Sequence, residues 1–206
     1  MMNYEIFKEV VAVKVIVQSV VNTFGSSALA GYSAGSRIES LAIVPLIAMG
    51  NAISTFTAQN LGAGQVDRVQ KGYRAGVKIV GFTSLLLAII IALFHRPIVA
   101  IFLDSESSAE AFRIGIDFMK FIGYFLIFLG LKSITDGVLR GAGDMRLFTI
   151  SNLTNLSIRC FVAFKFSSVW GIEAIWYAIP MGWTANFLIS FSYYKTGRWK
   201  DKNLMV

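Results

Sequence analysis

Apolar residues in this chain are gathered into long runs, separated by short clusters of charged and glycine-containing sequence. A helix needs about twenty largely apolar residues to cross a bilayer. Runs of that length predict about six spans, at residues 6–24, 38–58, 76–94, 114–139, 147–166 and 172–194. The first is the least regular, because Lys14 and Gln18 interrupt it. No run alternates with a sustained period of two, which argues against a membrane β-barrel. The expected fold class is therefore all-α, a polytopic membrane protein whose residues 1–206 form one domain.

Proline refines this map. Pro97 follows the third span and is expected to end it. Pro45 and Pro180 fall inside spans two and six, where each removes a helix hydrogen bond and favours a kink. Neighbouring helices in a membrane re-satisfy the carbonyls freed in this way. A packed kink and a functional hinge both stay open for these two prolines.

Composition supports the membrane reading. Hydrophobic residues make up 55% of the chain and charged residues only 15%, against about a quarter charged in soluble domains. The net charge of +7 comes from basic residues that flank the spans and do not line one polar surface, which argues against a nucleic-acid partner. Arg68, Lys71, Arg74 and Lys78 follow span two, Arg140 and Arg146 follow span four, and Lys195, Arg198, Lys200 and Lys202 follow span six. The link after span three instead carries Asp104, Glu106 and Glu110 beside Arg96 and Arg113. Basic links stay inside, so the expectation is a multi-pass protein of the inner or plasma membrane with a cytoplasmic carboxy terminus. Tyr193, Tyr194 and Trp199 then sit where an interfacial aromatic belt belongs.

Chemistry is sparse. Cys160 and His95 are single, so neither a disulfide nor a metal centre is expected, and no nucleophile–base set suggests an enzyme or a cofactor. The amino-terminal residues include Glu5, Lys8 and Glu9 with no small-residue cleavage site after them, which speaks against a cleavable signal peptide.

Two links resemble one another: Asn60-Leu-Gly-Ala-Gly64 and Leu139-Arg-Gly-Ala-Gly-Asp144. In each, a glycine just past the span can take the left-handed conformation that caps a helix end. Asp144 is placed to cap the next helix, and Asp67 to cap a basic amphipathic stretch, Arg68 to Lys78, expected along the inner membrane surface. A phosphate-binding reading is weak, because neither link follows a strand and no Gly-Lys-Ser/Thr follows. Structural turns are the expectation.

These links also carry a family resemblance. Gln59-Asn60-Leu61-Gly62-Ala63-Gly64, with Arg68 four residues on, resembles the signature between the second and third helices of a lobe in multidrug and toxin extrusion (MATE) transporters. Leu139-Arg140-Gly141-Ala142-Gly143-Asp144 resembles the motif joining helices four and five of their second lobe. Ala178-Ile-Pro180-Met-Gly-Trp183 and Gly197-Arg-Trp199 resemble the final helix and its exit. The resemblance implies a carboxy-terminal six-helix lobe of a bacterial-type secondary antiporter. Such antiporters expel amphipathic cationic compounds in exchange for protons or sodium ions, from a cavity between two pseudo-symmetric lobes. It implies a second lobe as partner, either an amino-terminal half or another copy, and a chain whose first helix is shortened, as in a truncated gene or a split transporter. Other readings are a non-transporting remnant, an assembly subunit, or a lipid-linked oligosaccharide flippase-like exporter.

Charges within the spans are the candidates for coupling, because an ionisable group at bilayer depth costs several kcal/mol unless paired or hydrated. Arg37 and Glu39 lie two residues apart at the start of span two, so they point to different faces and do not form a simple in-helix pair. Asp136 has Lys132 one turn before it, a spacing that allows an ion pair, which competes evenly with a role in proton or cation coupling. Arg159 interrupts span five and needs a partner or a wet cavity, whereas Lys165 is expected to snorkel outward. Thr149, Ser151, Asn152, Thr154, Asn155 and Ser157 make one side of that span hydrophilic, for helix packing or for a substrate path. The family's sodium-coupled branch carries acids where this chain has Gln18 and Tyr124-Phe-Leu-Ile-Phe-Leu129, so the coupling ion stays open.

Overall fold

A computed structural model describes residues 17–103 and 108–200. Among them the chain is helical throughout: α1 (Ser26–Gly62), α2 (Val66–Ala100), α3 (Ala109–Gly141), α4 (Met145–Trp170) and α5 (Glu173–Thr196). Residues 17–22 are also helical; the remainder of the first predicted span, with Lys14, lies outside the described residues. Four of the helices, α1 to α4, are long and apolar enough to cross a membrane. The fifth, covering the sixth predicted span, is diluted by Thr184, Asn186, Ser190 and Ser192.

The helices contribute to two compact units. The first comprises Met1–Ala42, Leu87–Phe125 and Asn155–Gly182; the second comprises Ile43–Leu86, Leu126–Thr154 and Trp183–Val206. All three predicted inner links, with their lysines and arginines, belong to the second unit.

Burial is distributed as a membrane requires. Along α2, Phe82, Leu85, Ile89 and Leu93 are exposed, while Asp136, Asn186 and Ser190 elsewhere are buried. In hydrocarbon the exposed face gains nothing from polarity, and polar groups must find partners inside the protein. Helices without a hydrophobic drive to associate approach through small residues. In the first unit, a Cβ on Gly31 of α1 would meet the Ala111 carbonyl of α3, and one on Gly35 would strike the Phe118 ring. In the second unit Gly50 of α1 lies on the Ser133 carbonyl of α3, and Gly137 and Gly141 of α3 lie on the carbonyls of Gly50 and Ser54.

One local expectation changes, at Asp67. The regular helix of the third span breaks at Phe94, with φ −116° and ψ 16°, where that span was expected to end, and a further helical stretch carrying Pro97 runs on to Ala100. The proline ring lacks a donor for the Leu93 carbonyl four residues earlier and crowds it, so the distortion appears one turn upstream. The Arg68–Lys78 stretch forms the first turns of α2 and runs without interruption into its apolar part. Asp67 lies inside the first turn and not at the cap; Gln65 precedes the helix and accepts from the Arg68 amide at 3.1 Å. Asp67 still favours the positive helix end. Pro45 and Pro180 have helical backbone on both sides.

Candidate functional site

The twin links share one geometry. After α1, the Gln65 amide donates to the Asn60 carbonyl at 2.7 Å and the Gly64 amide to Leu61 at 2.9 Å. After α3, the Asp144 amide donates to Leu139 at 2.9 Å and the Gly143 amide to Arg140 at 3.0 Å. These are paired six-to-one and five-to-two bonds of a Schellman cap, with the glycine left-handed: φ is +69° at Gly64 and +79° at Gly143. Gly62 and Gly141 are the last helical residues. The Asp144 Oδ1 accepts from the Leu147 amide at 3.4 Å, the position of a helix amino-terminal cap. Gln59 is exposed, and buried Asn60 donates to the Phe56 carbonyl at 2.7 Å.

Arg140 does more than close a loop. Its Nη2 donates to Asn51 Oδ1 at 2.7 Å, its Nε to Ser54 Oγ at 3.3 Å, and its guanidinium lies 5.6 Å from the Phe148 ring centroid. The end of α3 is thereby tied to α1 and α4. A planar donor fork with a cationic face can do this, and a lysine cannot.

The polar centre of the second unit surrounds Asp136. The predicted in-helix pair is present, with Lys132 Nζ 3.0 Å from Asp136 Oδ2. The same ammonium donates to Asn152 Oδ1 on α4 at 3.0 Å. Ser190 on α5 donates to Asp136 Oδ1 at 2.6 Å and lies 3.4 Å from Asn186 Oδ1. The Asn186 Nδ2 is buried without a partner. Side chains of three helices thus meet at one carboxylate, whose Oδ2 and the Asn152 Oδ1 share the Lys132 ammonium while its Oδ1 takes the Ser190 hydroxyl. Among the polar residues of α4, Asn152 reaches another helix; Thr149, Ser151 and Thr154 bond carbonyls of their own helix. Asn186 and Ser190 were not singled out from the sequence, although their four-residue spacing puts them on one face of an otherwise apolar helix.

The remaining candidates belong to the first unit. Arg37 is exposed and Glu39 buried, as their two-residue spacing requires. They are not at a helix end, because α1 begins at Ser26 and Arg37 lies three turns inside it, about 16 Å along the axis. Tyr32 lies within electrostatic reach of both Glu39 and Arg159. The stem of Arg159 packs where Gly182 leaves room, since a Cβ there would sit 3.1 Å from its Cγ. Asp136 is in the second unit, so the four predicted charges form two groups.

A family model described as MatE matches residues 10–164. The Probable multidrug resistance protein YpnP of Bacillus subtilis (strain 168) is 32% identical over 191 residues, 92% of this chain and 42% of that protein. The Probable multidrug resistance protein YoeA of the same organism is 28% identical over 195 residues, 93% of this chain and 41% of that protein. Among solved structures, the outward-facing conformation of a multidrug resistance MATE family transporter of the MOP superfamily superposes with a TM-score of 0.83 at 22% identity, covering 92% of this chain and 43% of that one. The chain therefore spans less than half the length of the relatives it matches.

Proposed function

The chain belongs to the MatE family, and on that premise we propose that it is the carboxy-terminal lobe of a secondary antiporter. It exports amphipathic organic cations in exchange for protons or sodium ions, and a second six-helix lobe completes its cavity. That lobe is an amino-terminal half or a second copy. The lobe lies in the inner or plasma membrane with its carboxy terminus in the cytoplasm, as the basic links of the second unit favour.

The observation that carries the coupling proposal is the Asp136 cluster. A buried carboxylate is held by one internal cation, Lys132, at 3.0 Å. A proton on Asp136 would cancel the charge that holds the ammonium, and a sodium ion would compete for the same oxygens. Either event frees Lys132 and loosens the connection to Asn152 on α4. A carboxylate buried with a single exchangeable counter-ion can therefore couple cation binding to helix movement. Glu39, buried on α1 and within electrostatic reach of Tyr32 as Arg159 is, is the second candidate.

The test is efflux from proteoliposomes that hold this lobe with a complementary amino-terminal lobe, driven by a proton or a sodium gradient. Asp136→Asn should abolish gradient-driven export while a downhill substrate leak persists, and Lys132→Gln should shift the pH dependence. If Asp136→Asn and Glu39→Gln both leave gradient-driven export intact, neither residue is the coupling group.

A further inference from the structure

We infer that the second unit carries a binding site for a phosphate-bearing anion, the headgroup of an anionic phospholipid, between the start of α2 and the end of α5. A cavity of about 310 Å³ is lined there by Gln70, Tyr73 and Arg74 from α2 and by Tyr194, Lys195 and Lys200 from α5 and its exit. Among the described residues its charged lining is three cations, Arg74, Lys195 and Lys200, with no carboxylate. Among the described residues, none of the three cations forms an ion pair.

The site is built by a specific chain reversal. Gly197, with φ +73°, turns the backbone after α5, and a short 3₁₀ turn follows at residues 198–200. This folds Trp199 back until its ring stacks on Tyr194 at 5.3 Å and 8°. Its indole N–H donates to the Tyr194 carbonyl at 2.9 Å, and the side chain is fully buried. Tyr194 in turn stacks on Tyr73 of α2 at 4.1 Å, and Tyr73 is fixed by Thr135 Oγ1 at 3.1 Å. The three stacked rings form a rigid wall. Lys200 Nζ is held 6.0 Å from the Trp199 ring centroid and Lys195 Nζ 5.2 Å from Phe191. Cation–π contact partly compensates these ammonium groups and leaves their hydrogen-bond donors available.

Three convergent cations, an amide and a phenol next to apolar ring faces suit a ligand that is anionic at one end and hydrocarbon at the other. Both basic links beside the cavity are expected on the leaflet that carries anionic lipid, where each nearby Lys or Arg contributes about 1 kcal/mol of attraction. The inference stands on the cavity and does not depend on the transported substrate or coupling ion.

The experiment is native mass spectrometry of the full chain, purified in detergent and exposed to phosphatidylglycerol, phosphatidylcholine or inorganic phosphate. The pocket variant is R74Q/K195Q/K200Q; the control, K71Q/K78Q/R146Q, removes the same charge from exposed positions of the same unit. The native chain and the control should retain one phosphatidylglycerol at least tenfold better than phosphatidylcholine. The pocket variant should lose that preference, and R74K/K195R/K200R should restore it. If inorganic phosphate displaces the lipid at equal concentration, the site reads the free anion as well as the headgroup, which still supports it. Equal retention by the pocket and control variants overturns the site, whatever the result of the transport assays.

Discussion

Ser190 on α5 places its hydroxyl 2.6 Å from Asp136 Oδ1 on α3, across 54 residues of sequence. The opposite oxygen belongs to Lys132. Asp136 is therefore engaged on both sides by groups that differ in kind, one neutral and one charged.

This arrangement predicts asymmetric mutational costs. Removing one member of a buried ion pair leaves the other uncompensated, at about 3–5 kcal/mol, while removing both costs far less. Lys132→Met should lower the thermal unfolding midpoint in detergent more than Lys132→Met combined with Asp136→Leu. Equal midpoints for the single and double variants would show that the pair is not isolated from water.

The twin links predict opposite outcomes for look-alike glycines. Gly62 has helical backbone and open space around an added Cβ, so Gly62→Ala should be neutral or stabilise by up to about 1 kcal/mol. Gly64→Ala and Gly143→Ala force a left-handed L-residue and should each cost about 1–2 kcal/mol. Gly141→Ala differs again, because its Cβ would strike the Ser54 carbonyl and Thr57. Unfolding midpoints of the four variants check the order; a Gly62→Ala as damaging as Gly64→Ala would contradict the cap geometry.

Arg140→Lys should behave nearly like Arg140→Ala in stability. A lysine cannot engage Asn51, Ser54 and the Phe148 face together, so both variants should lose about 1–3 kcal/mol. Denaturant titrations monitored by tryptophan fluorescence would test this, and a fully stable lysine variant would show that charge alone suffices.

Pro97→Ala should restore the hydrogen bond from residue 97 to the Leu93 carbonyl and return Phe94 to helical geometry. Hydrogen exchange offers the readout: the new amide at 97 should be protected to the level of its neighbours in α2. Rapid exchange there would mean that the kink is imposed by packing and not by the proline.

What is local could be read from the residues in order. A bilayer's thickness and a fixed rise per residue turn apolar runs into helices, and a Gly-Ala-Gly link carries its own capping chemistry. The four-residue spacing of Lys132 and Asp136 allowed the ion pair that the structure contains, and the two-residue spacing of Arg37 and Glu39 put them on different faces. Pro97 marked the break one turn upstream at Phe94, but not that a further helical stretch would run on to Ala100, because a proline removes one hydrogen bond without dictating what packing does beyond it. That Asn152 and Ser190 complete the Asp136 site, and that Arg140 meets Asn51 across 89 residues, follows from helix packing alone. Those meetings depend on how far one helix slides and rotates against another. That register is set by close contacts such as Gly137 on the Gly50 carbonyl, which leave no periodic trace in either helix alone.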